Sequence, residues 1–116
     1  MTIKRIEAGP RMSQAVIHGD TVYLAGQVAL KSRGRPVKQQ TQEILDSIDR
    51  LLKEAGTDKS KLLTANIWLA DISTFEEMNA VWDAWVAPGS TPARATVEAK
   101  LAAPEFTVEI MVTAGR

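Results

Sequence analysis

Two stretches near the C-terminal end alternate so regularly between apolar and polar residues that they restrict the fold more than any other feature of the chain. In 93–99 the odd positions are Ala93, Ala95, Val97 and Ala99, and Arg94, Thr96 and Glu98 fall between them. In 107–114, Val108, Ile110, Val112 and Ala114 form one set, and Thr107, Glu109, Met111 and Thr113 form the other. A period of two is that of a β-strand with one face buried. The spacing predicts two adjacent strands that pack their apolar sides on a core. It also predicts that they share a polar open face carrying Arg94, Thr96, Glu98, Glu109 and Met111.

The core needs a second layer, and two helical patterns supply it. After a basic stretch containing Gly and Pro, Lys31 to Lys38, which reads as a loop, Ile44, Ile48, Leu51, Leu52 and Ala55 recur at helical spacing from about Thr41. Gly56 stands where a helix C-cap is expected. In the second pattern Phe75, Met78, Val81, Trp82 and Trp85 fall on one side, Ser73 and Glu76 have capping-box spacing, and Pro88-Gly89 ends the run. Upstream, Gln14 to His18 and Thr21 to Gly26 read as strands joined through Gly19-Asp20, with residues 2–7 as a weakly alternating edge strand. The apolar run Leu62 to Ala70 is predicted as a central strand buried on much of both faces. The fold class is therefore α+β, a mixed sheet of about six strands with two helices on one face. Its open face, with charges set beside Met111, suits contact between subunits better than plain solvation.

Composition narrows the chemistry. A chain of 116 residues is one domain, 1–116, long enough to bury roughly two-thirds of its unfolded surface. Its 14 Lys and Arg balance 14 Asp and Glu, so no basic excess favours nucleic acid. With no Cys and His18 alone, thiolate zinc, iron–sulfur and His-rich metal sites are excluded within one chain, so no metal is expected. Unbroken apolar runs such as Ile67 to Ala70 cover four residues, far too few to span a membrane, and a cytoplasmic protein is expected.

Four segments carry a resemblance. Val22 to Leu30 (VYLAGQVAL), Phe75 to Trp85 (FEEMNAVWDAW), Pro92 to Glu98 (PARATVE) and Val108 to Ala114 (VEIMVTA) resemble, in that order, the RidA family, also called the YjgF/YER057c/UK114 family. The resemblance implies a chorismate-mutase-like fold and a homotrimer whose sheets form a central barrel, with clefts between neighbouring subunits. It also implies cofactor-free hydrolysis of reactive enamines and imines, such as 2-aminoacrylate, to 2-oxo acids and ammonia. The family's carboxylate clamp falls on Arg94 and its water-orienting glutamate on Glu109. The cleft-lining positions fall on Gly26, Ala25 and Asn79. Two positions depart from the family pattern: Met12, within RMSQAV, stands in place of a cleft tyrosine, and Thr96 in place of a cysteine. Arg11 or Ser13 is a candidate replacement for the lost hydroxyl.

The proposed chemistry asks little of a protein. A guanidinium fixes a planar carboxylate through two parallel bonds, which Lys cannot match. A carboxylate such as Glu109 can accept a proton from water held over the imine carbon, and backbone N–H groups near Gly26 are open to close approach. Each assignment has a plainer alternative. Arg94 could be an architectural partner of Glu98 or Glu109, Glu109 could be only an ion-pair partner, and Asn79 could bond locally. A carboxylate-binding protein without turnover would use the same residues. A ribonuclease is disfavoured because the chain has no second histidine.

Overall fold

A computed structural model of the chain describes residues 2–116. Its elements are β1 (Ile3–Ala8), β2 (Ser13–His18), β3 (Thr21–Leu24), α1 (Val37–Glu54), β4 (Leu62–Leu69), α2 (Phe75–Trp85), β5 (Ala93–Glu98) and β6 (Val108–Gly115). Short 3-10 turns, Lys59–Lys61 and Ile72–Thr74, precede β4 and α2. The six strands form one mixed sheet in the order β1-β2-β3-β6-β4-β5, in which only β4 and β5 run parallel. Both helices pack on one face of it. The thinnest dimension, 20 Å, is that of one sheet covered by one helix layer. The α+β reading therefore holds.

The core lies between these layers. Ile44, Leu45, Ile48, Leu51 and Leu52 of α1 are fully buried against Ala15, Val22, Ala65, Ile67, Leu69, Ile110, Val112 and Ala114 of the sheet. Met78, Trp82 and Trp85 bring α2 into the same core. Each such Leu or Ile contributes roughly 1.5–3 kcal/mol by leaving water. A bond from Trp85 Nε1 to Asp49 Oδ2, 3.0 Å, fastens α2 to α1 at their polar margin.

Several local expectations shift. The first helix begins at Val37, within the basic stretch, because Pro36 at the N-cap has the fixed φ a helix start tolerates, and Val37 is itself buried. The capping box at Ser73 does not form. Instead the Asp71 side chain accepts the Ser73 amide in the 3-10 turn, and α2 starts at Phe75 with Glu76 and Glu77 in its first turn, near the positive end of its dipole. β3 stops at Leu24, leaving Ala25 and Gly26 outside the regular ladder before Gln27 rejoins it opposite Ile110. β4 is buried on one face only: Leu62, Ala65, Ile67 and Leu69 are inside, while Leu63, Thr64 and Asn66 are exposed.

The largest correction concerns the alternating strands. They are not adjacent, since β4 runs between them. In the ladder, Arg94 lies across from Ala65, Thr96 from Ile67 and Glu98 from Leu69. Cross-strand partners share a face, so Arg94, Thr96 and Glu98 face the helix layer. Ala93, Ala95 and Val97 take the open face, where Val97 is 50% exposed. Glu109 lies across from Trp68, itself across from Val97, and so does occupy the open face. The physical reason is position. β5 is the edge strand beside α2, and its helix-facing row lies over the core's margin, where long polar side chains have room.

Candidate active site

Arg94 reaches from the middle of β5 toward one stripe of α2. Phe75, Asn79 and Trp82 occupy positions i, i+4 and i+7 of that helix, a spacing that stacks side chains on one face. The Arg94 NH1 group donates to Asn79 Oδ1 at 2.8 Å. The guanidinium carbon sits 5.4 Å from the centre of the Trp82 ring and 5.8 Å from that of Phe75, both within cation–π range. The charge is therefore held by one hydrogen bond and two aromatic rings, and its other N–H donors make no bond among the described residues. Neither architectural pairing weighed from the sequence forms: Glu98 accepts the Ile72 amide at 3.0 Å instead, and Glu109 is on the opposite face.

Glu109, near the start of β6, has a different setting. Its carboxyl lies directly over the backbone of Gly26, where a Cβ would collide with Oε2 and stand 3.1 Å from Cδ. Glycine at 26 is thus a steric requirement of the glutamate rather than of a turn. Glu109 makes no ion pair or side-chain hydrogen bond among the described residues, and burial pushes its carboxyl above the ordinary glutamate range. Desolvation without compensation favours the protonated form. Ala25, beside Gly26, donates its amide to Gln14 O at 2.9 Å.

The remaining candidates divide between these two centres. Thr96 follows Arg94 on the helix-facing row, with its Oγ1 shielded from solvent and without a partner. Met12 is 48% exposed in the turn closed by Gly9 N–H to Met12 O at 2.8 Å, and Ser13 opens β2. Asn79, one possible ligand contact from the sequence, bonds to Arg94. The structure thus groups Gly26, Ala25 and Glu109 on one side and Arg94, Asn79 and Thr96 on the other. It does not bring Arg94 and Glu109 together within one chain. The parts that sequence reasoning missed are the aromatic supports, although the i, i+4, i+7 spacing of Phe75, Asn79 and Trp82 was a legible signal for them.

A cavity of about 780 Å³ lies away from both centres, past the ends of β4 and β5, where Ala70, Leu101, Pro104 and Phe106 line it and Glu98 and Lys100 edge it. Among the described residues no cluster of three or more His, Asp or Glu side chains could hold a metal ion, and no helix is long and apolar enough to cross a membrane.

Comparison with known proteins agrees with this architecture. A family profile described as Endoribonuclease L-PSP matches residues 2–115. The chain is 46% identical over 114 residues to a RutC family protein from Haemophilus influenzae, covering 98% of each chain. It is 43% identical over 114 residues to the RutC family protein YoaB from Escherichia coli, again with 98% of each covered. The solved structure of NMB1025, a YjgF family member from Neisseria meningitidis, superposes with a TM-score of 0.96 at 46% identity, covering 100% of this chain and 96% of that one. The profile, the relatives and the fold agree with the four segments read from the sequence, and the chain belongs to the RidA/YjgF family, the family of the Endoribonuclease L-PSP profile.

Proposed function

We propose that this protein is a cofactor-free enamine/imine deaminase of the cytoplasm, which hydrolyses small 2-imino acids to 2-oxo acids and ammonia in clefts completed between copies of the chain. The observation that carries this reading is the guanidinium of Arg94, held by Asn79 and two rings with donors to spare, as a carboxylate clamp requires. Because Glu109 and Gly26 lie on the other face of the sheet, a second copy supplies them. A homotrimer, as the resemblance implies, provides three such clefts. The open face supports association: Tyr23 is 47% and Val97 50% exposed, with Trp68 and Met111 half-buried near them.

The reaction then follows from these groups. An enamine such as 2-aminoacrylate first takes a proton on its methylene carbon and loses one from nitrogen, giving the imine. Arg94 fixes the carboxylate of that imine in the plane of its C=N bond. Water adds through oxygen to the imine carbon while Glu109 takes a proton from it. The carboxyl returns that proton to nitrogen, giving the carbinolamine; it then relays the hydroxyl proton to the same nitrogen as the C–N bond breaks, so that ammonia leaves and the 2-oxo acid remains. A carboxyl raised by burial is a stronger base than an ordinary glutamate and takes a proton from water more readily. Fixing carboxylate, water and base in register accounts for several kcal/mol of the barrier.

Generating 2-aminoacrylate in situ and following pyruvate and ammonia tests the proposal. Wild-type protein should speed both and Arg94→Ala should not; equal rates with the two proteins overturn it. Carboxylate-dependent thermal shifts without turnover would identify a non-catalytic binding protein instead. The name of the matching family raises a second reading, endoribonuclease activity. Against it stand the zero net charge and a single histidine, exposed at the end of β2. Cleavage of RNA by highly purified Arg94→Ala protein would favour it.

A further inference from the structure

Gln40 is completely buried and uses its amide at both ends. Its Nε2 donates to Arg35 O and Glu105 O, each at 2.9 Å, and its Oε1 accepts the Thr107 amide at 2.9 Å. One side chain of α1 thereby satisfies three backbone groups from two loops that have no regular ladder of their own. Thr107 is held on its other side as well, because its carbonyl accepts the Ala70 amide at 3.0 Å.

This matters for Glu109, two residues further along the same face. Among the described residues no side-chain bond fixes Glu109, so the place of its carboxyl over Gly26 is set by the backbone that carries it. That backbone is thinly supported on one flank. β3 pairs with β6 only from Thr113 to Gly115, and past the irregular Ala25-Gly26 step the single bridge is Gln27 to Ile110. Support for the first residues of β6 comes from β4 on one side and from Gln40 at the end.

We propose that Gln40 is a positioning residue for Glu109: by holding the Thr107 amide at the mouth of β6, it fixes where the Glu109 carboxyl stands above Gly26. The proposal rests on the deaminase reading for its effect on turnover, but not for its effect on the carboxyl itself. Removing Gln40 slackens the start of β6 and lets the half-buried Glu109 carboxyl leave its glycine seat for fuller hydration.

The test compares wild type with Gln40→Met, a near-isosteric apolar variant, and with Leu52→Ala as a core variant that lowers thermal stability about three turns along α1 from Gln40. Carbon-13 NMR follows the Glu109 carboxyl titration, and the in situ 2-aminoacrylate assay gives kcat, KM and the pH–rate profile. In folded Gln40→Met the Glu109 midpoint should move down toward the ordinary glutamate value, with kcat falling about tenfold and KM changing less than about twofold, an effect on chemistry rather than binding. Leu52→Ala should keep the wild-type midpoint. A folded Gln40→Met protein with an unchanged Glu109 titration overturns the proposal. If wild-type protein shows no turnover, the deaminase reading falls while the titration still decides the role of Gln40; full turnover by Glu109→Gln would remove only the catalytic role of Glu109. Should Gln40→Met not fold, amide exchange in the wild type decides: Thr107 exchanging as slowly as Ile110 supports the proposal, and Thr107 exchanging as fast as residues 100–103 overturns it.

Discussion

Arg94 and Glu109 sit on two faces of one sheet and are held in opposite ways. The arginine is surrounded by partners that favour its charge: an amide oxygen at 2.8 Å and two aromatic rings within 6 Å. The glutamate has none, and burial alone acts on it, against its charge. A permanently charged group that must recognise a carboxylate gains from being pre-oriented, since the orienting cost is met on folding. A group that must take and give a proton gains from a setting in which neither protonation state is strongly preferred. The two neighbourhoods differ as the two proposed tasks differ.

Substitutions can break or sharpen this contrast. The largest effect is expected at Arg94: Arg94→Ala should lower kcat/KM about 10²- to 10³-fold through loss of two charge-assisted bonds, and Arg94→Lys should recover only part of it. Steady-state kinetics with the in situ substrate measures both. Glu109→Gln comes next, with kcat down about 10²-fold, typical for removal of a general base, and KM little changed. Gly26→Ala should cost about tenfold in kcat by displacing the Glu109 carboxyl. In a Glu109→Ala background the same change should cost almost nothing, so a double-mutant cycle reads the contact directly. Asn79→Ala should raise KM roughly tenfold with kcat nearly intact, because a charge-assisted bond that orients Arg94 is worth about 1.5 kcal/mol.

The smallest effect is on stability against pH. The folded-state pKa of Glu109 is raised, so the folded chain binds more protons than the unfolded one between the ordinary glutamate value and the raised one. This contribution is fully present below the ordinary value and is lost as pH rises through the raised one. Chemical denaturation at a series of pH values should show that loss in the wild type and not in Glu109→Gln.

Much of this was legible in the chain. Periods of two and 3.6, the Gly19-Asp20 connection and the apolar run 62–70 located the strands and both helices, and Ile44, Ile48, Leu51 and Leu52 stand in the core as their spacing predicts. Arg94, Glu109 and Gly26 were all singled out by resemblance. The facing of β5 was not legible, because alternation says which residues share a side and not which side is covered. Here the apolar set of a marginal strand, Ala93, Ala95 and Val97, faces away from the helices, and the polar set lies against α2. Gln40 was equally hidden. In sequence it is one glutamine among several around Gln39 and Gln42, and only the convergence of two loops on it makes it a buried knot.

The sequence by itself determined the element types, the two-layer α+β plan, the absence of Cys, the solitary His18 and the family, since these follow from local periodicity, composition and motif order. The tertiary structure alone decided that Arg94 and Glu109 occupy opposite faces, that residue 26 must lack a side chain because the Glu109 carboxyl occupies that space, and that Arg94 rests on Phe75, Asn79 and Trp82. Those facts depend on strand order and register, which are set by long-range pairing of β4 with β5 and β6. Such pairing joins residues far apart in the chain, and no local pattern encodes it.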